Sequence, residues 1–508
     1  MARDLDALTS WHADWSGLRV AVLGLGASGF AVVDTLIELE AQTLAVAAAV
    51  DDERRNILEV LGGELLLEPD ASVVPERLID FDPELVVVSP GYRPDHALLV
   101  WAGDRGIPLW GDIELAWRLR DKVGTPAEWI LVTGTNGKTT TVQLTTHLLR
   151  AAGSRAEAVG NIGVPVLDAI RAPEGFDHLV VELSSFQLHQ LPETGPGALH
   201  PLASVCLNLA DDHLDWHGSR EEYARVKGRV YANTRVACVY NAGDEATRHM
   251  VEEADVQEGC RAIGFGLGSP GPSDLGVVDG ILVDRAFHDD RHRSALEITT
   301  VQALSEAGLA TPHMASNVLA ATALARAADV PVRIVRDALG SFRLDHHRTE
   351  SVAFAEEILW VDDSKATNPH AAAASLRSFE KVVWIVGGLL KGVDIAELVR
   401  AHTSRLRAAV VIGVERDEVL DAFRRHAHGV PVREVIAADT GDVMTEAVRL
   451  SAEVATAGDV VLLAPAAASM DQFVDYGDRG RRFAAAVEQH VRKGSAGDAR
   501  ADEPADLD

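Results

Sequence analysis

Leu131–Thr140 reads LVTGTNGKTT, follows Trp129-Ile130 and runs into TVQLTTHLLRAAG. An apolar strand ends in a turn holding Gly134, Thr135, Asn136 and Gly137, and Lys138, Thr139 and Thr140 then open an amphipathic helix. Backbone N–H groups of such a turn, with the positive end of the helix behind it, cradle polyphosphate oxygens. A lysine there reaches the outer phosphates, and the next hydroxyl suits magnesium. Val132 stands where the general GxxxxGK[ST] pattern has its first glycine. The strand before and the helix after are the context this loop requires, so the segment predicts nucleoside triphosphate binding.

At 508 residues the chain exceeds one core, and about 150 residues per domain suggests three. The first segment has an apolar strand Leu18–Leu23, the turn Gly24-Leu-Gly26-Ala-Ser28-Gly29, then a helical FAVVDTLIELEA. A second apolar run ends at Asp51 and Asp52, a third at Ser89-Pro-Gly91, and Asp51 lies 22 residues after Gly29. That order is a nucleotide-binding βαβ unit, whose glycines serve either a ligand or only the tight packing of helix on strand. DKVGTPA, ending at Ala127, breaks the pattern, and it breaks again around Leu339–Asp345, so the domains are set at 1–123, 124–343 and 344–494. In the second, EWILVT, HLVVELSS, ASVCLNLA and RVACVYNA predict strands, and Gly264–Leu296 predicts short antiparallel ones. In the third, EILWVDDS, KVVWIVGG, AAVVIGV and DVVLLAPA predict a parallel sheet covered on both faces. Residues 495–508 are polar and acidic and predict a disordered tail.

A formal charge of −30 speaks against nucleic acid as a partner. Three dispersed cysteines without a CxxC pair predict neither a disulfide framework nor a thiolate zinc site. No basic and apolar leader opens the chain, and no apolar run approaches the roughly 18 residues of a membrane span, so a cytoplasmic protein is expected.

Glu182 ends a strand beside the phosphate loop, where a carboxylate either holds the nucleotide's magnesium or merely caps. Asp211-Asp-His213-Leu-Asp215-Trp-His217 suits a second divalent ion or a helix N-cap cluster. By composition Lys227 is an ordinary helix lysine, and His347-Arg348 is either a charged linker or a clamp on phosphate charge. Asp363, Lys365 and Thr367, Gly387-Gly388 with Lys391, and Ser469 with Asp471 mark the ends of three neighbouring strands. Together they predict one crevice for a small carboxylate.

GTNGKTT, Gly160-Asn161-Ile-Gly163, ELSSFQL, DDHLDWH, YARVKGRVY, HHR, DDSKATN and SMDQF, in this order, resemble the Mur ligase family. The resemblance implies a three-domain α/β protein: a Rossmann-like UDP-binding domain, a P-loop domain with a mainly parallel sheet plus a small antiparallel one, and a Rossmann-like amino-acid domain. It implies a monomer that joins D-glutamate to UDP-N-acetylmuramoyl-L-alanine using ATP and two Mg2+ ions, through an acyl phosphate and a tetrahedral intermediate. It places Gly134–Thr140, Asn317, Arg348 and Asp363 on ATP, and Ser28, Asp51, Ser89, Gly91, Asn161 and His213 on the UDP substrate. Thr367, Lys391, Ser469 and Tyr476 would surround D-glutamate. Thr139 and Glu182 would hold the first metal, His213 and a carbamylated Lys227 the second, with Lys138, Glu182, His213, Lys227 and Arg348 as the catalytic set. Met314, Leu389-Leu390 and Tyr476 depart from the pattern, and whether Asp51 or Asp52 faces the uridine stays open. The competing readings are another amino-acid ligase of the family or of folate, a binding protein without turnover, and a nicotinamide dehydrogenase built on Gly24–Gly29.

Overall fold

The computed structural model describes residues 3–70, 72–307, 309, 311–343, 349–436 and 440–501. The chain divides into two compact units. The first comprises the chain to Leu209 with Glu221–Phe342, and the second Ala210–Arg220 with the chain from Arg343 onward.

The first unit holds two sheets. The N-terminal one is wholly parallel, in the order Glu64–Leu67, Gln42–Ala47, Arg19–Leu23, Leu85–Val88, Leu109–Gly111. Its central strands are buried along nearly their whole length, as continuous apolar runs demand when helices cover both faces. The outer strands Glu64–Leu67 and Leu109–Gly111 are short and were not anticipated from the sequence. The order in which strands are added reverses between Arg19–Leu23 and Leu85–Val88, the switch point at which open α/β sheets bind ligands.

The other sheet runs Leu296–Thr300, Ile281–Asp284, Asp274–Val278, Arg261–Phe265, Ala237–Asn241, Ala203–Cys206, Glu128–Thr133, His178–Glu182, Ala156–Gly160. The antiparallel strands expected as a small separate sheet instead continue this one. Arg261–Phe265 and Asp274–Val278 pair in parallel, and only the two junctions of Ile281–Asp284, with Asp274–Val278 and with Leu296–Thr300, are antiparallel. A hairpin added to a free edge satisfies that edge's N–H and C=O groups without a second core. The two sheets share one hydrophobic core, in which Trp117 meets Trp129 edge-on at 5.2 Å. Arg171 reaches across to Asp34 and, at 2.9 Å, to Glu38.

The second unit carries one sheet, in the order Glu350–Ala355, Ile358–Asp362, Val460–Leu463, Val382–Gly387, Leu406–Ile412, Val432–Glu434. All its junctions are parallel except the first, and apolar clusters lie on its two faces. The final helix spans Tyr476–Ala501 and so enters the stretch read as a tail, whose residues 502–508 lie outside the described residues. All three cysteines are free thiols. No helix among the described residues is long and apolar enough to cross a membrane.

Candidate active site

The phosphate loop follows strand Glu128–Thr133, and helix Lys138–Ala151 begins behind it with Gly137 as N-cap at φ +82°. A side chain on Gly137 would also lie 2.5 Å from Asn317 Oδ1, so glycine is required here twice over. Helix Pro312–Ala327 carries Asn317 to this point, and Asn317 Nδ2 is 4.0 Å from the sulfur of Met314, one of the departures from the family pattern. Asn208 closes the loop from the next strand end. Its carbonyl accepts from Thr135 N–H at 3.0 Å, its Oδ1 from Asn136 N–H at 2.9 Å, and its Nδ2 donates to Asn136 O at 3.1 Å.

Lys138 Nζ donates to the carbonyls of Gly134 and Thr135, both at 2.9 Å, so its charge lies over the loop. Thr139 Oγ1 donates to Glu182 Oε2 at 2.9 Å, and Asn161 Nδ2 donates to Glu182 Oε1 at 3.1 Å. Glu182 is buried, its two oxygens spanning the residues assigned to the metal and to the UDP substrate. Thr135 Oγ1 lies 3.2 Å from the Tyr223 hydroxyl. Thr140 Oγ1 is instead buried without a hydrogen-bond partner among the described residues.

Lys227 is no ordinary surface lysine. Only 1% exposed, it donates to Thr133 Oγ1 at 3.2 Å and Gly134 O at 3.0 Å. An amphipathic helix face buries Tyr223, Val226 and Lys227 together, a pattern visible in sequence only once the helix is in register.

At the N-terminal switch point Ser89 Oγ donates to Gly24 O at 3.1 Å. A side chain on Gly29 would lie 2.0 Å from that same carbonyl, the closest approach at this turn. Ser28 bonds Asp112, which also accepts from Gln187 Nε2 at 3.1 Å, and burial pushes the Asp112 carboxyl up to about 6. Asp51 caps helix Asp52–Leu61: its Oδ1 accepts from Arg54 N–H at 2.8 Å and its Oδ2 pairs with Arg54 at 2.7 Å. Gly91, at φ +104°, lines an open cavity of about 1050 Å³ with Tyr92, Arg93, His96 and Trp101.

In the second unit Lys391 Nζ stands 2.9 Å from Asp212 Oδ1 and 3.4 Å from His213 Nε2. The loop after strand Ile358–Asp362 holds Asp363, whose Oδ1 accepts from Thr349 N–H at 3.1 Å and whose Oδ2 accepts from Ser375 Oγ. Half-buried Thr367 follows on that loop, and Ser469 is buried on the loop after Val460–Leu463. Tyr476 opens the last helix with Lys365 Nζ 3.6 Å from its ring centre. Two residues not singled out in the sequence stand out here: Asn208 on the phosphate loop, and Arg479, which is fully buried and bonds Ser364 and Ala467. Arg348 lies outside the described residues.

Thr139 and Glu182 offer adjacent hard oxygen donors, the set magnesium takes when phosphates and water complete its shell. Among the described residues no group of three or more His, Cys, Asp and Glu side chains is placed to hold a metal ion. An unmodified Lys227, donating from an ammonium, cannot ligate a cation.

Residues 132–325 match the Mur ligase middle domain, and residues 347–467 the Mur ligase, glutamate ligase domain. The chain is 62% identical to UDP-N-acetylmuramoylalanine–D-glutamate ligase of Leifsonia xyli subsp. xyli, over 98% of each chain. It is 50% identical to the same-named protein of Streptomyces coelicolor, over 94% of this chain and 99% of that one. Among solved structures, UDP-N-acetylmuramate-alanine ligase MurC of Thermotoga maritima has a similar fold, with a TM-score of 0.55 at 20% identity over 93% of this chain and 100% of that one.

Proposed function

The chain belongs to the Mur ligase family, and from that premise we propose that it joins D-glutamate to UDP-N-acetylmuramoyl-L-alanine at the expense of ATP, in peptidoglycan precursor synthesis. The observation that carries the reading is the near full-length identity to relatives bearing that name, joined to a phosphate loop whose Lys138 lies over the loop carbonyls and whose Thr139 bonds Glu182 on the neighbouring strand.

The γ-phosphoryl group of ATP passes to the L-alanine carboxylate, giving an acyl phosphate. The D-glutamate amine attacks its carbonyl, and phosphate leaves the tetrahedral intermediate. Negative charge thus builds first on phosphoryl oxygens and then on an oxyanion, and positioned cations and N–H donors are the main requirement. In a chain of net charge −30 that requirement falls on local groups. Lys138 and the N-terminus of its helix would meet the phosphates, on a loop whose Thr135 and Asn136 are held by Asn208. Glu182 and Thr139 would hold Mg2+, which neutralises phosphate charge when bound. Asn161, tethered to Glu182, would present its amide to the muramoyl substrate. Asn317, against Gly137, borders the nucleotide's end of the loop.

Lys227 would support a second Mg2+ only as a carbamate, which exchanges its ammonium for an anion, and His213 would join it. Ser28, Ser89, Gly91 and Asp51 would take the UDP moiety. Thr367, Lys391, Ser469 and Tyr476 would enclose D-glutamate, with Asp363 and Arg348 on the nucleotide. We place the domain boundaries near 123 and 343 and assign the protein to the cytoplasm as a monomer.

Phosphate release from ATP with UDP-N-acetylmuramoyl-L-alanine tests the reading, run with D-glutamate, L-glutamate, L-lysine or no amino acid. Release that needs both the nucleotide precursor and D-glutamate is expected. Release with another amino acid moves the protein to a sister activity, and none with any of them sinks the ligase assignment.

A further inference from the structure

Arg479 sits in the first turns of helix Tyr476–Ala501 and is 0% exposed. Its Nε donates to Ser364 Oγ at 2.9 Å, Nη2 to Ser364 O at 2.8 Å, and Nη1 to Ala467 O at 3.2 Å. Ser364 Oγ passes the chain on, donating to Tyr476 O at 2.7 Å. Next to Ala467, Ala468 exchanges two backbone hydrogen bonds with Leu389, at 3.0 and 2.9 Å. One guanidinium therefore joins the three segments that carry Thr367, Ser469 and Tyr476, and through Ala468 the turn that carries Lys391.

The acceptors around it are all neutral. Among the described residues Arg479 forms no ion pair, and Asp362 and Asp471 act on it only from longer range. Burial pushes the guanidinium down to about 10. A buried charge without a directly paired counter-ion is costly, and an apolar side chain of similar volume would tie up no less of the core. A purely structural clip would be cheaper without the charge. A charge held where these segments meet can instead act on an anionic ligand that they bind.

We propose that Arg479 is the positioning residue of the amino-acid pocket, fixing its loops by a three-way hydrogen-bonded fork and drawing an anionic amino acid by a charge that no carboxylate contacts directly. The inference rests on reading Thr367, Lys391, Ser469 and Tyr476 as that pocket. It separates two jobs: the fork sets geometry, and the charge sets affinity for the carboxylates. Lysine keeps only the second, methionine neither.

Steady-state kinetics of Arg479→Met, Arg479→Lys and Ser364→Ala, with KM measured for all three substrates, test it. In Arg479→Met the KM for D-glutamate should rise at least about tenfold, while the KM values for ATP and the UDP precursor stay within about twofold. Arg479→Lys should recover part of that loss. Ser364→Ala, which keeps the charge and cuts the link to Tyr476 O, should raise the D-glutamate KM by about threefold. A folded Arg479→Met with unchanged D-glutamate KM overturns the proposal, as do three KM values rising together. Should Arg479→Met fail to fold by circular dichroism, an unchanged D-glutamate KM in both other variants overturns it. Wild-type phosphate release that ignores D-glutamate overturns the pocket reading and this inference together, whereas D-glutamate-dependent wild type with unaffected variants overturns this inference alone.

Discussion

The turn Gly24–Gly29 and the loop Gly134–Thr139 both carry a buried parallel strand into a helix, Ala27–Glu38 in one case and Lys138–Ala151 in the other. In the first, glycine is needed because a backbone carbonyl and Ser89 crowd the helix start. In the second, glycine supplies a left-handed N-cap and leaves room for the end of Asn317. The first turn contains no cation, while the second carries Lys138 folded back over its own carbonyls. Glycine spacing thus sets how closely a helix approaches a strand, and a lysine with a hydroxyl beside it sets what such a turn can bind. This is also why the dehydrogenase reading of Gly24–Gly29 fails, since it explains one turn and leaves the charged one idle.

Lys138→Ala should produce the largest break in that contrast. Loss of the phosphate cation removes roughly 3–4 kcal/mol of transition-state stabilisation, a fall in kcat of about 10²–10³ or more. Phosphate release on a variant with an unchanged melting curve measures it, and wild-type turnover would sink the loop assignment. Lys227→Ala should come next, with turnover also down by about 10² or more. Acetate should restore part of the activity if a carbamate is the working form. Absence of rescue would leave Lys227 as a clamp on Thr133 and Gly134 alone.

The phosphate loop was legible because its residues are contiguous, and strand, turn and helix are local signals. The same is true of Glu182, one strand away at the end of an apolar run. Arg479 was not legible, because its partners Ser364 and Ala467 lie 115 and 12 residues off and only the finished sheet brings them together. Lys227 looked ordinary for the same reason: burial is a tertiary property. The short strands Glu64–Leu67 and Leu109–Gly111 gave too little periodicity to read. The hairpin Asp274–Val278 with Ile281–Asp284 was read as strands, yet no local signal says which sheet edge it will join.

The two glycines should separate by substrate as well as by size of effect. In Gly29→Ala the new carbon meets rigid backbone at 2.0 Å, and overpacking of that kind costs about 1–3 kcal/mol. In Gly137→Ala it meets the movable end of Asn317 at 2.5 Å, and the left-handed backbone adds about 1 kcal/mol. Denaturant midpoints should therefore fall further in Gly29→Ala. The KM for the UDP precursor should rise in that variant, and the KM for ATP in Gly137→Ala. The reverse pattern would mean the turns have been assigned to the wrong ligands.

Asp112 extends the comparison to pH, because it bonds Ser28 in the uncharged turn. Its carboxyl stays protonated in the folded chain up to about 6, whereas an unfolded chain releases that proton near its ordinary value of 3.8. Between these values the native state holds more protons, so stability falls as pH rises through this window. The whole effect is at most about 3 kcal/mol. Melting curves from pH 4 to 7.5 should show a shallower fall in Asp112→Asn than in wild type. Parallel curves would place the Asp112 proton elsewhere.

The smallest effect on stability belongs to Asp51, and for that reason it is the most discriminating. Its carboxylate caps helix Asp52–Leu61 and pairs with Arg54, both at the surface, where the Arg54 backbone N–H and guanidinium hold the carboxyl below the usual carboxylate range. Asparagine is as good an N-cap as aspartate, and alanine is a poor one. Asp51→Asn should therefore melt with wild type, and Asp51→Ala measurably lower. If Asp51 also receives the uridine, both variants should raise the KM for the UDP precursor, the asparagine variant without any loss of stability. A KM that follows stability across the pair would reduce Asp51 to a helix cap and shift the uridine contact to Asp52. The acid that follows the second strand would then serve the fold of this turn, and binding would rest on Ser28, Ser89 and Gly91.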